Sequence, residues 1–487
     1  MINLDITPVW VEFYGDIPEI DTLKSFLTLT IEEDGIDKKV ELFEDNKFLT
    51  GLLNFVKREL DKKQIQYTCP TVFYEKRDAS KDILEGVTLR DYQLEAVRIM
   101  LSTERGIAKM ATGSGKSEVY AAVIKTLNRP SLCVVGKVSH AYQLKRRAED
   151  RGVSDVGIVG GEFRDLDCKH VIAVPNSLYS GIKKSDPEIL ALLEKTEVFF
   201  CDETHHAKSV SWMAIASRCP NATRRYGLSA TPFDAEDPFS NPDDLMLMGI
   251  TGEVIVDVSS KELRDLGYLA EPTVHMLPIM SPHVNPRIDN WHIINKLGVV
   301  ENQVRNETIA NLCFHIVARG GKPLVIVAMI EHGKTLVKKM YERGVNAFFA
   351  YGGSSCYEIC GSGEKLEEHD EKWISDSLLE GKYDVLIGST IYDEGVDLPV
   401  VSDVIVAGAG RATRRLLQRM GRGLRLYPGK TKVNIWDFYD GTHWALKAQS
   451  EKRIKVYTKE HCEIIRGLES AMTTFPEWVP QVISEVI

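Results

Sequence analysis

The octapeptide Met110-Ala111-Thr112-Gly113-Ser114-Gly115-Lys116-Ser117 constrains this chain more than any other stretch. A short apolar run, Ile107 to Ala111, leads in, and Glu118 to Ile124 leads out with the pattern of a helix. Strand, Gly-rich turn and helix in that order make a phosphate-binding loop. Thr112, Gly113, Ser114 and Gly115 are small enough for backbone N–H groups to converge on phosphate oxygens, and the helix N-terminus adds a favourable dipole. Lys116 is placed to reach the β- and γ-phosphates, and Ser117 to ligate Mg²⁺. Met110 stands where such loops usually carry Gly.

The rest of the chain has room for the sheets such a loop requires. At 487 residues it suggests two to four domains, and a 44% apolar composition supplies ample core. No apolar run approaches the roughly 20 residues of a membrane helix, and Met-Ile-Asn-Leu-Asp carries no basic leader. Nine scattered cysteines suit reduced thiols, and a cytoplasmic location is expected. Cys356-x3-Cys360 with His369 is metal-like in spacing only; a loop with free thiols is the simpler expectation. The net charge of −10 would not attract nucleic acid, so such a partner must be held by local patches. Residues 1–50 hold twelve Asp/Glu against four Lys/Arg, whereas Lys145-Arg146-Arg147, Arg224-Arg225 and Arg411 to Arg425 are basic.

Residues 1–80 mix strand-like alternation at Val9 to Phe13 with a helical stretch, Leu52 to Lys62, as a small α+β domain would. Between 81 and 272, apolar strands alternate with amphipathic helices, at Ser131–Val135, His170–Val174, Val198–Cys201 and Arg225–Leu228. A second such region spans 273–443, with strands at Leu324–Val327, Ala347–Tyr351, Val385–Gly388, Asp403–Ala407 and Lys432–Asp437. Each pattern implies a parallel sheet. Pro272 to Arg305 reads as loop-rich, and 444–487 as a helical segment.

Downstream of the phosphate loop, Val198-Phe199-Phe200-Cys201 ends in Asp202-Glu203-Thr204-His205. At a strand end beside bound nucleotide, Asp202 would hold Mg²⁺ through water, and Glu203 would orient and deprotonate the attacking water. Ser229-Ala230-Thr231 closes another strand with small hydroxyls. Further on come Ser389-Thr390, Asp393-Glu394-Gly395-Val396-Asp397-Leu398-Pro399 and Gln418-Arg419-Met420-Gly421-Arg422-Gly423-Leu424-Arg425. On a helix, Arg422 and Arg425 share a face and can present guanidinium groups to a γ-phosphate. A solvated basic face is the plainer alternative.

Together these motifs resemble those of superfamily 2 helicases, with two RecA-like lobes, over residues 86 to about 440 and in the family's order. Leu89-Arg90-Asp91-Tyr92-Gln93 resembles the adenine-recognising element, with Gln93 its glutamine. Met110–Ser117 resembles motif I, Asp202–His205 motif II, Ser229–Thr231 motif III, Thr390–Pro399 motif V (with Gly395 and Asp397 toward nucleotide) and Gln418–Arg425 motif VI. The resemblance implies ATP and Mg²⁺, with Gln418 joining the two arginines. Nucleic-acid contacts are implied at Lys137 in motif Ia, Gly160-Gly161 in motif Ib, Asn176 and Ser177 in motif Ic, His332 in motif IV, and Thr390. Such contacts hold phosphates and do not read bases. For each of these residues a structural role stays open.

Lys261 to Pro272, then Asn302 and Arg305-Asn306, resemble DNA-directed motors of this superfamily. Trp436-Asp437-Phe438-Tyr439-Asp440 and the N-terminal region are similar to phage helicases of the UvsW type, which migrate DNA branches and remodel forks. That similarity implies single-stranded and branched DNA (forks and four-way junctions) as partners, with recombination proteins as possible further ones. It also implies that residues 1–80 choose the branch. Lys57, Arg58, Lys62, Lys63, Lys76 and Arg77 are the cations available there. The motor subunit of a restriction or repair complex, or an RNA helicase, remain alternatives. Gly352 to Trp373 looks longer than in that family and carries no assignment.

Overall fold

The computed structural model describes residues 1–33, 36–70, 77–352, 355–360, 363–369, 371–389, 398–408, 424 and 426–467. The chain divides into two compact units, Met1–Ser259 and Ser260–Ile487. The break falls ahead of the expected boundary near 272, because helix Ser260–Asp265 and strand Glu271–Ile279 belong to the second unit.

In the first unit, residues 2–68 build a five-stranded sheet ordered Phe43–Glu44, Lys47–Leu49, Trp10–Tyr14, Ile2–Ile6, Tyr67–Thr68. The alternation that suggests a strand is visible in its burial: Val11 and Phe13 are inside, Glu12 and Tyr14 outside. Helices Ile17–Phe26 and Leu53–Lys62 cover it, the second burying Val56 and Leu60. This region does not stand apart from the rest of the unit. Leu49 and Leu52 share one apolar core with Leu245, Leu247, Met248 and Ile250 on helix Pro242–Thr251. A Cβ on Gly51 would lie 1.9 Å from the Met248 carbonyl oxygen, so only glycine allows this approach. Phe55 stacks on Phe239 at 5.3 Å, and Arg58 pairs with Glu253 at 2.8 Å.

The main sheet of this unit has eight strands. In spatial order they are Phe163–Arg164, Val156–Gly160, His170–Ala173, Ser131–Val134, Val198–Asp202, Arg224–Ser229, Arg105–Met110 and Val254–Val258. All neighbours pair in parallel except the short edge strand Phe163–Arg164. The strands Ser131–Val134, His170–Ala173 and Val198–Asp202 are buried at every position, as a sheet covered by helices on both faces requires. The register aligns Val134 with Ala173 and Cys201, and Asp202 with Leu228. The segments after these strands therefore leave from one end of the sheet, where ligands of open parallel sheets bind.

The second unit holds a nine-stranded sheet. Its order is Gly363–Glu368, Ser355–Cys360, Ala347–Tyr351, Val385–Gly388, Pro323–Ile326, Asp403–Val406, Lys432–Asp440, Glu271–Ile279, Glu463–Arg466. The expectation of a loop-rich stretch from Pro272 to Arg305 is corrected here. Glu271–Ile279 pairs with Lys432–Asp440 along nine positions, and helices Trp291–Asn295 and Gln303–Ala318 come after it. The C-terminal segment is also not purely helical: helix Trp444–Lys459 gives way to the edge strand Glu463–Arg466. Arg453 and Tyr457 on that helix both donate to Asp437 at 2.8 Å and fasten it to the sheet. Cys356 and Cys360 lie on a strand of the antiparallel hairpin at the far edge, not in a loop, and His369 stacks on Trp373. No metal-binding group of three His, Cys, Asp or Glu occurs among the described residues. Among them no helix is long and apolar enough to cross a membrane.

Candidate nucleotide and nucleic-acid site

The phosphate loop joins strand Arg105–Met110 to helix Lys116–Leu127. Gly113 (φ 84°) and Gly115 (φ 84°, ψ 42°) both sit in the left-handed region, which turns the chain back over the helix N-terminus. Met110 is the last residue of the strand, is fully buried and has no positive φ. Glycine's freedom is therefore not needed there, and the departure from the usual loop is absorbed by the core. Lys116 Nζ donates to the Met110 carbonyl at 3.2 Å, folding the ammonium over the loop.

Gln93 reaches the same loop. Its Nε2 donates to the Ser114 carbonyl at 2.8 Å, and its Oε1 accepts the Arg90 N–H at 2.9 Å. Tyr92 Oη donates to the same Ser114 carbonyl at 2.7 Å. Tyr92 belongs to the segment that resembles the adenine-recognising element, but nothing in the sequence distinguishes a hydroxyl that braces the loop from a core ring. Ser114 Oγ is fully buried and has no hydrogen-bond partner among the described residues. An orphan hydroxyl in a glycine turn, beside an ammonium and a helix N-terminus with no side-chain cap, fits phosphate oxygens.

Motif II lies at the same sheet end, with strand Arg224–Ser229 between its strand Val198–Asp202 and the strand that feeds the phosphate loop. Asp202 terminates its strand, 6% exposed, and its Oδ1 accepts the Glu203 N–H at 3.0 Å. Burial raises the Asp202 carboxyl above its ordinary range and Glu203 adds to this, while His140 and Lys116 oppose it. A divalent cation against Asp202 would hold it ionised. Glu203 occupies the left-handed region at φ 47°, ψ 57°, a conformation that costs a non-glycine residue of order 1–3 kcal/mol and clusters at functional sites. Its Oε2 lies 3.5 Å from His205 Nδ1, which is 3.5 Å from Ser229 Oγ, and Ser229 Oγ accepts the Thr231 N–H at 3.2 Å. Motifs II and III are thus joined side chain to side chain. His140 is a site residue that the sequence does not reveal: its Nε2 sits 3.2 Å from Asp202 Oδ2. No spacing rule links a histidine just past motif Ia to that aspartate.

Lys137, Gly160 and Asn176 come after or at the ends of three adjacent parallel strands and emerge at one sheet end. Lys137 and Asn176 are exposed, and Asn176 and Ser177 lie in the first turn of helix Pro175–Lys183. Gly160 also has a packing role, since a Cβ there would come within 2.6 Å of Val174. His332 is corrected. It is 1% exposed, its Nε2 lies 2.8 Å from Asn306 Oδ1, and burial with Arg305 nearby lowers its pKa to about 3. It is a neutral core residue of the second unit with no surface to offer a strand. Asn302 caps helix Gln303–Ala318, and Arg305 binds the Ala407 carbonyl and Asp440. Arg422 and Arg425, expected from the sequence as arginine fingers, lie outside the described residues, as do Gln418, Gly395, Asp397 and Thr390.

Residues 86–234 match the model of the type III restriction enzyme res subunit, and residues 305–427 that of the helicase conserved C-terminal domain. The chain is a superfamily 2 helicase. It is 26% identical to the DNA 3'-5' translocase XPB2 of Sulfurisphaera tokodaii over 370 residues, 70% of this chain and 80% of that protein. It is 20% identical to the ATP-dependent DNA helicase uvsW of Enterobacteria phage T4 over 451 residues, 86% of this chain and 85% of that one. Among solved structures, S. cerevisiae Dbp5 bound to RNA and ADP BeF3 superposes with a TM-score of 0.53 at 16% identity, covering 81% of this chain and 93% of that one. That likeness establishes the two-lobed fold alone. The helicase is an ATP-hydrolysing motor, and the second family model spans motifs V and VI.

Proposed function

We propose that this helicase is an ATP- and Mg²⁺-dependent DNA translocase that remodels branched DNA. The observation that carries the motor reading is the shared sheet end in the first unit, where Lys116, Asp202 and Glu203 stand beside Lys137, Gly160 and Asn176. Ser117 and Asp202 would hold the cation, which would supply positive charge to neutralise the phosphates. Glu203 takes the proton of the attacking water. The named DNA translocases and helicases among the relatives support DNA as the track.

Branch choice is assigned to residues 1–80, with a narrower cationic surface than the sequence suggests. Arg58 is committed to Glu253, and Arg77 donates to the Thr126 and Leu127 carbonyls at 3.1 and 2.8 Å. Lys62, whose exposed ammonium pairs within its own helix with Glu59 at 2.6 Å, and Lys63 stand at the end of helix Leu53–Lys62 to meet a duplex arm, and Lys76 lies outside the described residues. Deleting the region would strip the core around Leu245 to Ile250, so charge reversal is the cleaner test. In the Lys62→Glu, Lys63→Glu variant, ATPase stimulated by single-stranded DNA should be kept, while migration of a four-way junction falls severalfold. Junction migration at the unaltered rate would sink the branch assignment. Stimulation by RNA equal to that by DNA would sink the choice of track.

A further inference from the structure

Two large aromatic side chains stand exposed together beside the proposed phosphate contacts. Tyr142 is 44% and Phe163 37% exposed, with ring centroids 5.0 Å apart and planes at 86°. Tyr142 lies on helix Val138–Asp150, which begins directly after Lys137. Phe163 lies on the edge strand just past the Gly160-Gly161 turn. The two segments meet: a Cβ on Gly161, whose φ of 61° makes the turn, would lie 3.5 Å from Val138 Cγ1.

The hairpin that presents Phe163 is braced. Arg164 Nη2 binds Asp186 at 2.6 Å and Glu188 at 2.9 Å, and Asp165 Oδ2 accepts the Ile158 N–H at 3.0 Å. Arg146, four residues after Tyr142 and so on its face of the helix, is exposed and forms no ion pair among the described residues. Its neighbours are already paired, Lys145 with Glu149 and Arg147 with Glu118. Glu162, exposed in the turn, is the acidic group nearest in sequence to Phe163. Exposed apolar surface of this kind marks a contact surface, and an edge-to-face pair leaves one ring face open to a further ring.

We propose that Tyr142 and Phe163 form a stacking platform for one base of the strand whose backbone passes Lys137 and Gly160-Gly161, with Arg146 on an adjoining phosphate. This rests on the DNA-translocase reading and deepens it. Stacking tolerates any sequence, because every base has a π face, and is worth about 1–3 kcal/mol per base. Motif contacts to phosphates alone would not sense whether a base is present.

The test uses the full chain and two fluorescent strands of equal length, an oligothymidine and one of abasic residues. Tyr142→Ala and Phe163→Ala should each bind the oligothymidine about fivefold or more weakly. Both should match the unaltered protein on the abasic strand. Phe163→Trp and Tyr142→Phe should restore binding, and unchanged unfolding midpoints check the fold. Arg146→Gln should lower the salt slope by about one on both strands. Equal losses on the two strands, or none on the oligothymidine while the unaltered protein binds it, would overturn the platform alone. No binding of either strand by the unaltered protein would overturn the translocase reading as well.

Discussion

Gly115 offers the sharpest test of the nucleotide site, because two separate costs of adding one methyl group can be read from its surroundings. Its φ of 84° is a left-handed conformation, and an L-residue held there costs roughly 1–2 kcal/mol. The new Cβ would also lie 2.3 Å from Gln93 Nε2. Gln93 would have to swing away, giving up its bonds to the Ser114 carbonyl and the Arg90 N–H, each worth about 0.5–1.5 kcal/mol. Together these make about 2–5 kcal/mol, or roughly 30- to 5000-fold in nucleotide affinity for Gly115→Ala. Titrating a fluorescent ATP analogue by anisotropy measures it. Gln93→Ala in the same chain removes the clash but not the backbone cost, so the double variant should bind better than the sum of the single losses predicts. A Gly115→Ala protein that binds within twofold of the unaltered one, or two losses that simply add, would refute the argument.

Glu203→Gln should bind ATP and DNA yet hydrolyse about 10²- to 10⁴-fold more slowly, as loss of a general base requires; near-normal steady-state turnover would remove it from that role. Arg422→Ala and Arg425→Ala should each cut DNA-stimulated hydrolysis by roughly 10³-fold or more if they act as arginine fingers, and full turnover in both would leave the face a solvated one. His332 predicts an acid limb in stability. Its pKa is about 3 in the fold against an ordinary 6.5, so the unfolded chain binds the extra proton between those values. The stability of the second unit is then complete above pH 6.5 and falls by about 1.4 kcal/mol per pH unit below it, about 2 kcal/mol by pH 5. Denaturant unfolding of His332→Gln should show a shallower fall over that range; an unchanged slope would assign the acid sensitivity elsewhere.

Much of this architecture is legible in the chain because its parallel strands are fully buried. Ser131–Val134, Val198–Asp202 and Val385–Gly388 appear as short apolar runs with turns after them. Glu271–Ile279 is hidden by Pro272 and Pro278, which read as breakers. Its edge neighbour Glu463–Arg466 pairs only with Thr273 to Met276, so both prolines lie beyond that ladder. The phosphate loop and motif II are evident from composition and order. Their wiring is not, since His140 on Asp202 and Tyr92 on Ser114 join segments far apart in the chain. His332 shows the opposite failure: the motif places it near nucleic acid, but its helix turns inward, with Gly333 packed against Phe349. The N-terminal region shows its own strands in its alternation, yet nothing local announces that Leu49 and Leu52 complete the core around Met248.

The helix Val138–Asp150 is where these observations converge. Lys137 stands at its start, His140 one turn in lies 3.2 Å from the Asp202 carboxylate, and Tyr142 faces Phe163 beyond the Gly160-Gly161 turn. Ala141, Leu144 and Ala148 bury its other face, so these groups ride on one packed element. A displacement of the helix large enough to lengthen the His140–Asp202 contact therefore also moves Lys137 and Tyr142. Rigid geometry within a single turn or two of helix would thus couple the proposed nucleotide and strand sites of the first unit. For the same reason, substitutions along the helix are informative only in pairs. One that alters DNA affinity without changing nucleotide affinity acts at the surface, at Tyr142 or Arg146. One that alters both, as His140→Ala should, acts through the position of the helix.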